Sequence, residues 1–474
     1  MEHLWLWLAV IAERLLAIGV SMHILLHKRD VRAAIGWMGL VWLTPAVGSA
    51  LYGLLGVNRI ARRAERLRED ADLPPDRDTD IEIARNLAGR YPNLVPIARL
   101  VDEVTRLPLT AGNRIEPLLN GDEAYPAMLR AIGAAEHSVG LATYIFDSDR
   151  AGALFLDALV AARQRGIAIR VLVDGVGKRY SKPPITKLLA ARDIPHAVFL
   201  QPSLPWHHPY ANLRNHRKIL VVDGQIGFTG GLNIREGCLL ELDTDHPVHD
   251  LHFRLLGPVV RHLSRSFALD WGFTTGEELE GDTWLPSLIH AGQSLARGVP
   301  DGPDEDFEAI YQVLLGALAE ARERIRICTP YFLPDATLIS ALSTAALRGI
   351  EVEILVPAES NLKFVNWAAA AQSDQLLEAG CRILLTEPPF DHTKLLLVDH
   401  AWAFFGSANW DARSLQLNFE FNIECYDPEL VEKLYAITEN KRRTAQRATL
   451  EMAHGRPLWM KLRDGAVRLF SPYL

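Results

Sequence analysis

Hydrophobic and polar positions along this 474-residue chain fall into distinct regimes. Residues 4–26 are almost continuously apolar, and residues 33–55 form a second run without charge, interrupted only by Pro45 and glycines. Each run is long enough to cross a bilayer. The first carries Glu13-Arg14 near its middle, costly in hydrocarbon unless the two pair, snorkel or face a partner helix. The uncharged second run is the cleaner span, because membrane helices tolerate Pro and Gly. There is no basic start, and two runs follow in succession, which argues against a removable signal peptide. A hairpin dipping into one leaflet is the alternative. Residues 68–90, with Pro74-Pro75 and many Asp, read as a solvated linker.

Beyond the linker, short apolar runs of strand length alternate with stretches of helical period, and the series occurs twice. In the first series, strand 139–146 is followed by helix 152–164, strand 166–174 and a helix around 185–191. In the second, strand 325–332 is followed by helix 336–347, strand 349–356 and helix 365–379. Strands alternating with helices predict an α/β fold, a mixed sheet flanked by helices in each of two lobes. The expected domains are a membrane region with two apolar helices (1–58), a basic segment and linker (59–105), a first lobe (106–300) and a second (301–474).

Each series ends in the same motif. His216-Arg217-Lys218-Ile219-Leu220-Val221-Val222-Asp223 is matched by His392-Thr393-Lys394-Leu395-Leu396-Leu397-Val398-Asp399, both of the form H-x-K-x-x-x-x-D. Gly230 and Asn233 follow the first copy, Gly406 and Asn409 the second, at identical spacing. The apolar run in each reads as a buried strand, on which residues two apart share a face, so each half offers an imidazole beside an ammonium. Imidazole serves as nucleophile, acid or base near neutral pH, and lysine as a fixed positive charge. The pair suits a tetrahedral anion, that is a phosphate. A lysine beside each histidine would repel a divalent cation, and no carboxylate or Cys sits at ligand spacing, so neither a metal nor another cofactor is expected.

The glycines allow a tight turn near the phosphate, and Asn233 and Asn409 supply amide donors, with Ser407 adding a hydroxyl in the second copy. An orienting carboxylate on the other ring nitrogen is the usual companion of a reactive histidine. Glu420, in the alternating Asn418-Phe419-Glu420-Phe421-Asn422, is the expected partner of His392, and Asp250 that of His216. Asp223 and Asp399 complete the signature but end their strands, which reads as a structural role. Tyr144 and Tyr331 end equivalent strands and either border the site or pack in the core. His207-His208 read as an entrance loop or as a merely exposed one.

On these residues the chain resembles the phospholipase D superfamily, marked by the duplicated H-x-K-x4-D motif followed by Gly, often Ser, and Asn. Within it the chain is most similar to the bacterial cardiolipin synthases, over nearly its whole length. Supporting stretches are Asn212-Leu213-Arg214-Asn215, Phe228-Thr229-Gly230-Gly231-Leu232-Asn233-Ile234, Gly406-Ser407-Ala408-Asn409-Trp410-Asp411-Ala412-Arg413-Ser414 and Arg456-Pro457-Leu458-Trp459. Similar enzymes have Trp-Arg-Asp-Thr-His where this chain has Pro247-Val248-His249-Asp250-Leu251-His252; the acid is kept and its neighbours differ. The resemblance implies two lobes about a pseudo-twofold axis with His216 and His392 at one site. The catalytic set is then His216, Lys218, Asp223, His392, Lys394 and Asp399. The implied reaction passes a phosphatidyl group from one phosphatidylglycerol to another through a phosphohistidine, giving cardiolipin and glycerol. His216 is the nucleophile by superfamily trend, and His392, initially protonated, is the acid. Hydrolysis to phosphatidic acid and a non-catalytic scaffold are the rival readings.

An apolar fraction of 49% is high, and the excess sits at the start of the chain. A net charge of −8 argues against broad nucleic-acid binding. Arg59, Arg62, Arg63, Arg66 and Arg68 follow the second apolar run and place the lobes on the cytoplasmic side of a bacterial inner membrane. Cys238, Cys328, Cys381 and Cys425 form no C-x-x-C pair and read as reduced core residues.

Overall fold

The computed structural model describes residues 2–28, 31–56, 87–200, 213–303, 308–469 and 471. His207-His208 and the arginines from 59 to 68 lie outside the described residues. The first apolar run is one helix, Glu2–His27, with most of its side chains exposed. Within it Trp7–His27 is long and apolar enough to cross a membrane. The second run is not one continuous helix. It breaks into Val31–Leu43, a non-helical Thr44, Pro45–Leu51 and a π turn at Tyr52–Gly56. Proline lacks an N–H and disfavours helical geometry in the residue before it, so the bend falls at Thr44-Pro45. Trp42 Nε1 donates to Ser21 Oγ at 3.1 Å, and His23 Nδ1 lies 2.9 Å from the Tyr52 hydroxyl, which ties these helices together.

The remainder of the chain is built on one mixed sheet. The first lobe contributes β1 (Thr110–Leu119), β2 (Ser138–Thr143), β3 (Ala168–Asp174), β4 (His196–Phe199), β5 (Ile219–Val222), β6 (Ile226–Gly230) and β7 (Leu251–Leu256). The second contributes β8 (Ser294–Asp301), β9 (Arg324–Cys328), β10 (Glu351–Pro357), β11 (Arg382–Thr386), β12 (Leu395–Val398), β13 (Trp402–Gly406) and β14 (Asn418–Tyr426). The order of these strands across the sheet is β11-β10-β9-β12-β13-β14-β8-β1-β7-β6-β5-β2-β3-β4, with the short strand Gln446–Arg447 added outside β11. Each strand of the second lobe thus matches the one seven places earlier, and the order is symmetric about the antiparallel β1–β8 pair, as a pseudo-twofold axis requires. The boundary expected at residue 300 falls inside β8, which belongs to the second lobe.

Equivalent helices are made the same way. Asp149 caps Arg150–Gln164, accepting from the Gly152 N–H, and Asp335 caps Ala336–Leu347, accepting from the Thr337 and Leu338 N–H groups. Each helix is then ended by a glycine at positive φ, Gly166 at 87° and Gly349 at 89°. Both helices cover the sheet with Leu, Ile, Phe and Ala faces. The end of the expected linker behaves differently: Val95–Thr105 is a helix whose Ile97, Ala98 and Val101 are buried with Val313, Leu314 and Ala317 of the second lobe. Arg297 on β8, fully buried and paired with Glu424, donates to the Ala98 carbonyl at 2.9 Å, so residues 95–105 are part of the core rather than a tether. The four cysteines are free and buried.

Candidate active site

Each motif histidine lies just before its apolar strand, in an extended lead-in that leaves its own lobe. Arg214–Asn215 pair in parallel with Asn418–Phe419, and the His216 N–H donates to the Phe419 carbonyl at 2.9 Å. Symmetrically, Phe390–Asp391 pair with Val248–His249, and the His392 N–H donates to the His249 carbonyl at 2.7 Å. The next residue on each partner strand is the acid. The pairing of acids and histidines is therefore crossed relative to the sequence expectation. His216 Nδ1 meets Glu420 at 3.0 and 3.1 Å, and His392 Nδ1 meets Asp250 Oδ2 at 2.9 Å. Cross-lobe strand pairing brings each acid to the other lobe's imidazole, and Nε2 remains as the ring nitrogen available to a ligand.

The two carboxylates are supported unequally. Glu420 also accepts from Ser414 Oγ (2.6 Å) and Asn418 Nδ2 (3.1 Å) on one oxygen and from Ser407 Oγ (2.5 Å) on the other. Ser407 is fully buried with its hydroxyl committed to Glu420, so it holds the carboxylate and is not a phosphate ligand. At the matching place in the first lobe stands Gly231, where an added Cβ would lie 2.1 Å from Asp250 Oδ1. Asp250 packs directly on this backbone, and among the described residues its Oδ1 accepts only the Leu251 N–H, at 2.8 Å. Gly230 and Gly406 likewise serve packing: an added Cβ would run into the Leu251 and Phe421 carbonyls of the adjacent strands.

Asp223 and Asp399 are not in the site. They end β5 and β12, about 20 Å along the chain from the histidines at roughly 3.3 Å per residue. Asp223 accepts the N–H groups of Glu136, His137 and Ser138, and Asp399 those of Arg322, Glu323 and Arg324. Each pins the entrance of the neighbouring strand.

His216 and His392 line one cavity of about 370 Å³, together with Asn233, Asn409, Tyr144, Tyr331, Asp250 and Arg413. The Asn233 amide oxygen accepts the Ile145 N–H at 3.1 Å, which leaves its NH2 as the free donor. Asn409 Oδ1 is buried without a hydrogen-bond partner. Lys218 and Lys394 are buried, each donating to the carbonyl of its own histidine at 2.7 and 2.6 Å with two further N–H donors each. Tyr144 and Tyr331 border the site, their rings 5.1 and 6.3 Å from those of His216 and His392.

Burial and concentrated positive charge govern the electrostatics. Burial, with the charges of Lys218 and Lys394, pulls His216 below its ordinary value despite Glu420. His392 is pushed down to about 4 by burial and then by Lys394, against the pull of Asp250. Burial lowers Lys218 to about 7 and Lys394 to about 8. Glu420 stays below the usual carboxylate value, because His216, Lys218 and Ser407 outweigh its burial. Without an anion in the cavity, burial and the lysine charges thus favour the neutral form of His392. A site that lowers the proton affinity of two lysines and two histidines together suits an anion, whose charge raises it again.

Several residues escaped the sequence reading. Arg217, inside the motif, reaches across the lobes from Asp270 (2.6 Å) to the carbonyls of Glu420 (2.9 Å) and Asp301 (3.0 Å). Ser414 and Asn418 were legible only as neighbours of the motif, and Asn418 shares a strand face with Glu420. Among the described residues, no three His, Cys, Asp or Glu side chains converge as a metal-binding group.

The family described as "Cardiolipin synthase, PLD-like domain" matches residues 128–271 and 314–441, one segment in each lobe. A cardiolipin synthase of Geobacillus kaustophilus is 32% identical over 461 residues, covering 96% of this chain and 91% of the relative. The major cardiolipin synthase of Bacillus subtilis is 30% identical, covering 94% of this chain and 95% of its own. The crystal structure of a phosphatidylserine synthase from Haemophilus influenzae superposes with a TM-score of 0.62 at 16% identity, over 80% of this chain and all of that one, a likeness of fold. The chain belongs to the cardiolipin synthase family of phospholipase D-like proteins, with one such domain in each lobe.

Proposed function

We propose that this protein is a cardiolipin synthase, a phosphatidyltransferase that uses phosphatidylglycerol as donor and acceptor. The observation that carries the reading is a single cavity lined by one motif histidine from each lobe, each held by the other lobe's carboxylate. His216, with the better-supported acid, attacks the donor phosphorus through Nε2. The P–O bond to the headgroup glycerol breaks as His392 delivers its proton to that oxygen. The incoming phosphodiester anion supports this protonation by offsetting the lysine charges that depress His392 in the free site. Lys218, Lys394, Asn233 and Asn409 donate to the phosphoryl oxygens as charge grows on them. A hydroxyl of a second phosphatidylglycerol then attacks, the P–N bond to His216 breaks, and His392 takes the hydroxyl proton. The products are cardiolipin and glycerol, with no cofactor called for.

The N-terminal helix Trp7–His27 attaches the chain to the membrane, with the lobes on the cytoplasmic side of a bacterial inner membrane. Its apolar, largely exposed surface supports attachment, and the arginine cluster from 59 to 68 supports the sidedness. The test uses full-length protein in phosphatidylglycerol vesicles, with products followed by mass spectrometry. Cardiolipin and glycerol are expected, both lost in His216→Ala and His392→Ala. Phosphatidic acid as the main product would make the protein a hydrolase instead.

A further inference from the structure

A second cavity, of about 300 Å³ and predominantly apolar, lies in the second lobe behind the catalytic one. Phe332, Val365, Ala369, Leu376, Ile383 and Met452 are among its walls. Val365 lines both cavities, so the helix Lys363–Ala370 is the partition between them. Arg456, the cation on its wall, is occupied with Asp464 and the Ala370 carbonyl.

Three of the helices that make or flank this cavity have no first-lobe counterpart among the described residues. After β3 the first lobe has a short turn at Gly177–Arg179 before its helix Ile185–Ala191, where the second has Lys363–Ala370 before its helix Ser373–Glu378. Leu450–His454 and Leu458–Arg468 follow only the second lobe. The helices Lys363–Ala370 and Leu458–Arg468 beside it are apolar on their exposed sides, at Phe364, Leu458, Trp459 and Leu462. Arg463 sits between Trp367 and Trp459, 4.0 and 5.5 Å from their rings, joining these two helices.

We infer that this cavity receives an acyl chain of the acceptor phospholipid. The inference rests on the transferase reading above and deepens it. If His216 attacks phosphorus, the leaving glycerol departs on the opposite side, toward His392, Tyr331 and the partition helix. The acceptor hydroxyl enters where that glycerol left, so the rest of the acceptor extends toward the second lobe. An apolar chamber one side chain deeper, flanked by helices with exposed apolar side chains, fits a hydrocarbon chain and offers little to a polar headgroup. The donor's acyl chains need not enter it.

The experiment compares a lipid acceptor with a chainless one in the full-length protein. Phosphatidyl-p-nitrophenol is the donor, and phosphatidylglycerol or glycerol the acceptor. Ala369→Trp and Ala453→Phe fill the chamber. Both variants should keep the p-nitrophenolate burst and transfer to glycerol within about twofold of wild type. Transfer to phosphatidylglycerol should fall at least tenfold, the loss of about two buried methylenes at about fourfold each. Equal loss with both acceptors, no loss with either, or a lost burst in a variant that melts like wild type would overturn the inference. If both variants misfold, wild type is labelled with phosphatidylglycerol carrying a terminal diazirine on one chain. Cross-links within residues 365–385 or 448–456 support the chamber, and cross-links confined elsewhere refute it. A wild type that gives neither burst nor cardiolipin would instead refute the transferase reading.

Discussion

The crossed pairing of acids and histidines makes a prediction that an uncrossed site cannot share. Glu420→Gln keeps the shape of the side chain but removes the charge that stabilises an imidazolium forming on His216. With charge centres about 4 Å apart and an effective dielectric near 20, that attraction is about 4 kcal/mol, or about three decades in rate. The assay is a pre-steady-state burst with phosphatidyl-p-nitrophenol, whose leaving group departs without a proton. The first step then depends on the nucleophile alone. Glu420→Gln should lower the burst rate about a thousandfold. Asp250→Asn should leave the burst nearly intact and slow steady-state turnover by a similar factor, because His392 is needed to activate the acceptor. Quenched wild-type enzyme, digested and mapped by mass spectrometry, identifies the histidine carrying the phosphatidyl group. The reasoning fails if the acid whose loss abolishes the burst lies in the same lobe as the labelled histidine.

Ser407→Ala removes one hydrogen bond to a buried carboxylate, about 1.5–3 kcal/mol, and should lower kcat roughly ten- to a hundredfold with KM unchanged. A KM rise with kcat preserved would mean the hydroxyl binds phosphate after all. Arg217→Met deprives buried Asp270 of its cation and the lobes of a shared clamp, and should cost about 3–5 kcal/mol, read from the denaturant midpoint in detergent. The protein should also lose stability as pH falls from about 6.5 toward 4. Burial lowers His252 to about 4 and His262 to about 3, and His262 Nδ1 accepts the Gly298 N–H at 3.0 Å, so it must be unprotonated there. Both native values lie below the unfolded one, so the unfolded chain binds more protons across this window. Each group then contributes a loss approaching 1.4 kcal/mol per pH unit. Unfolding midpoints at pH 7, 6 and 5 test this, and His262→Gln should flatten the dependence; a midpoint constant over that range would contradict it.

The duplicated lobes and the motif chemistry were legible because both rest on local pattern: strand-length apolar runs, helical periods and a signature repeated at fixed spacing. What stayed hidden was decided by sheet order. Glu420 lies 28 positions from His392 in the chain but 204 from its actual partner His216, and Asp250 is 142 from His392. Alternation along β14 correctly puts Asn418, Glu420 and Asn422 on one face, yet alternation cannot say which lobe that face meets. The β1–β8 junction and the short cross-lobe pairs at Arg214–Asn215 and Phe390–Asp391 decide it. The second apolar run is interrupted for a local reason that composition obscures: a single Pro45 breaks its helix at Thr44.

One asymmetry was visible in the sequence and acquires its meaning only from the crossing. The motif is followed by Gly230-Gly231 in the first lobe and Gly406-Ser407 in the second, while the acids are Asp250 and Glu420. Each lobe keeps both its small residue and its acid on one side of the site: Gly231 beneath Asp250, Ser407 beside Glu420. Aspartate is one methylene shorter, so the backbone must come close for it to reach His392, and only a residue without Cβ permits that approach. Glutamate stands further off, and the gap admits a hydroxyl that donates to it. Gly with Asp and Ser with Glu are thus two solutions to one distance. They leave His216 with the more fully hydrogen-bonded acid, which is the stronger support for an imidazole that must carry charge while bonded to phosphorus.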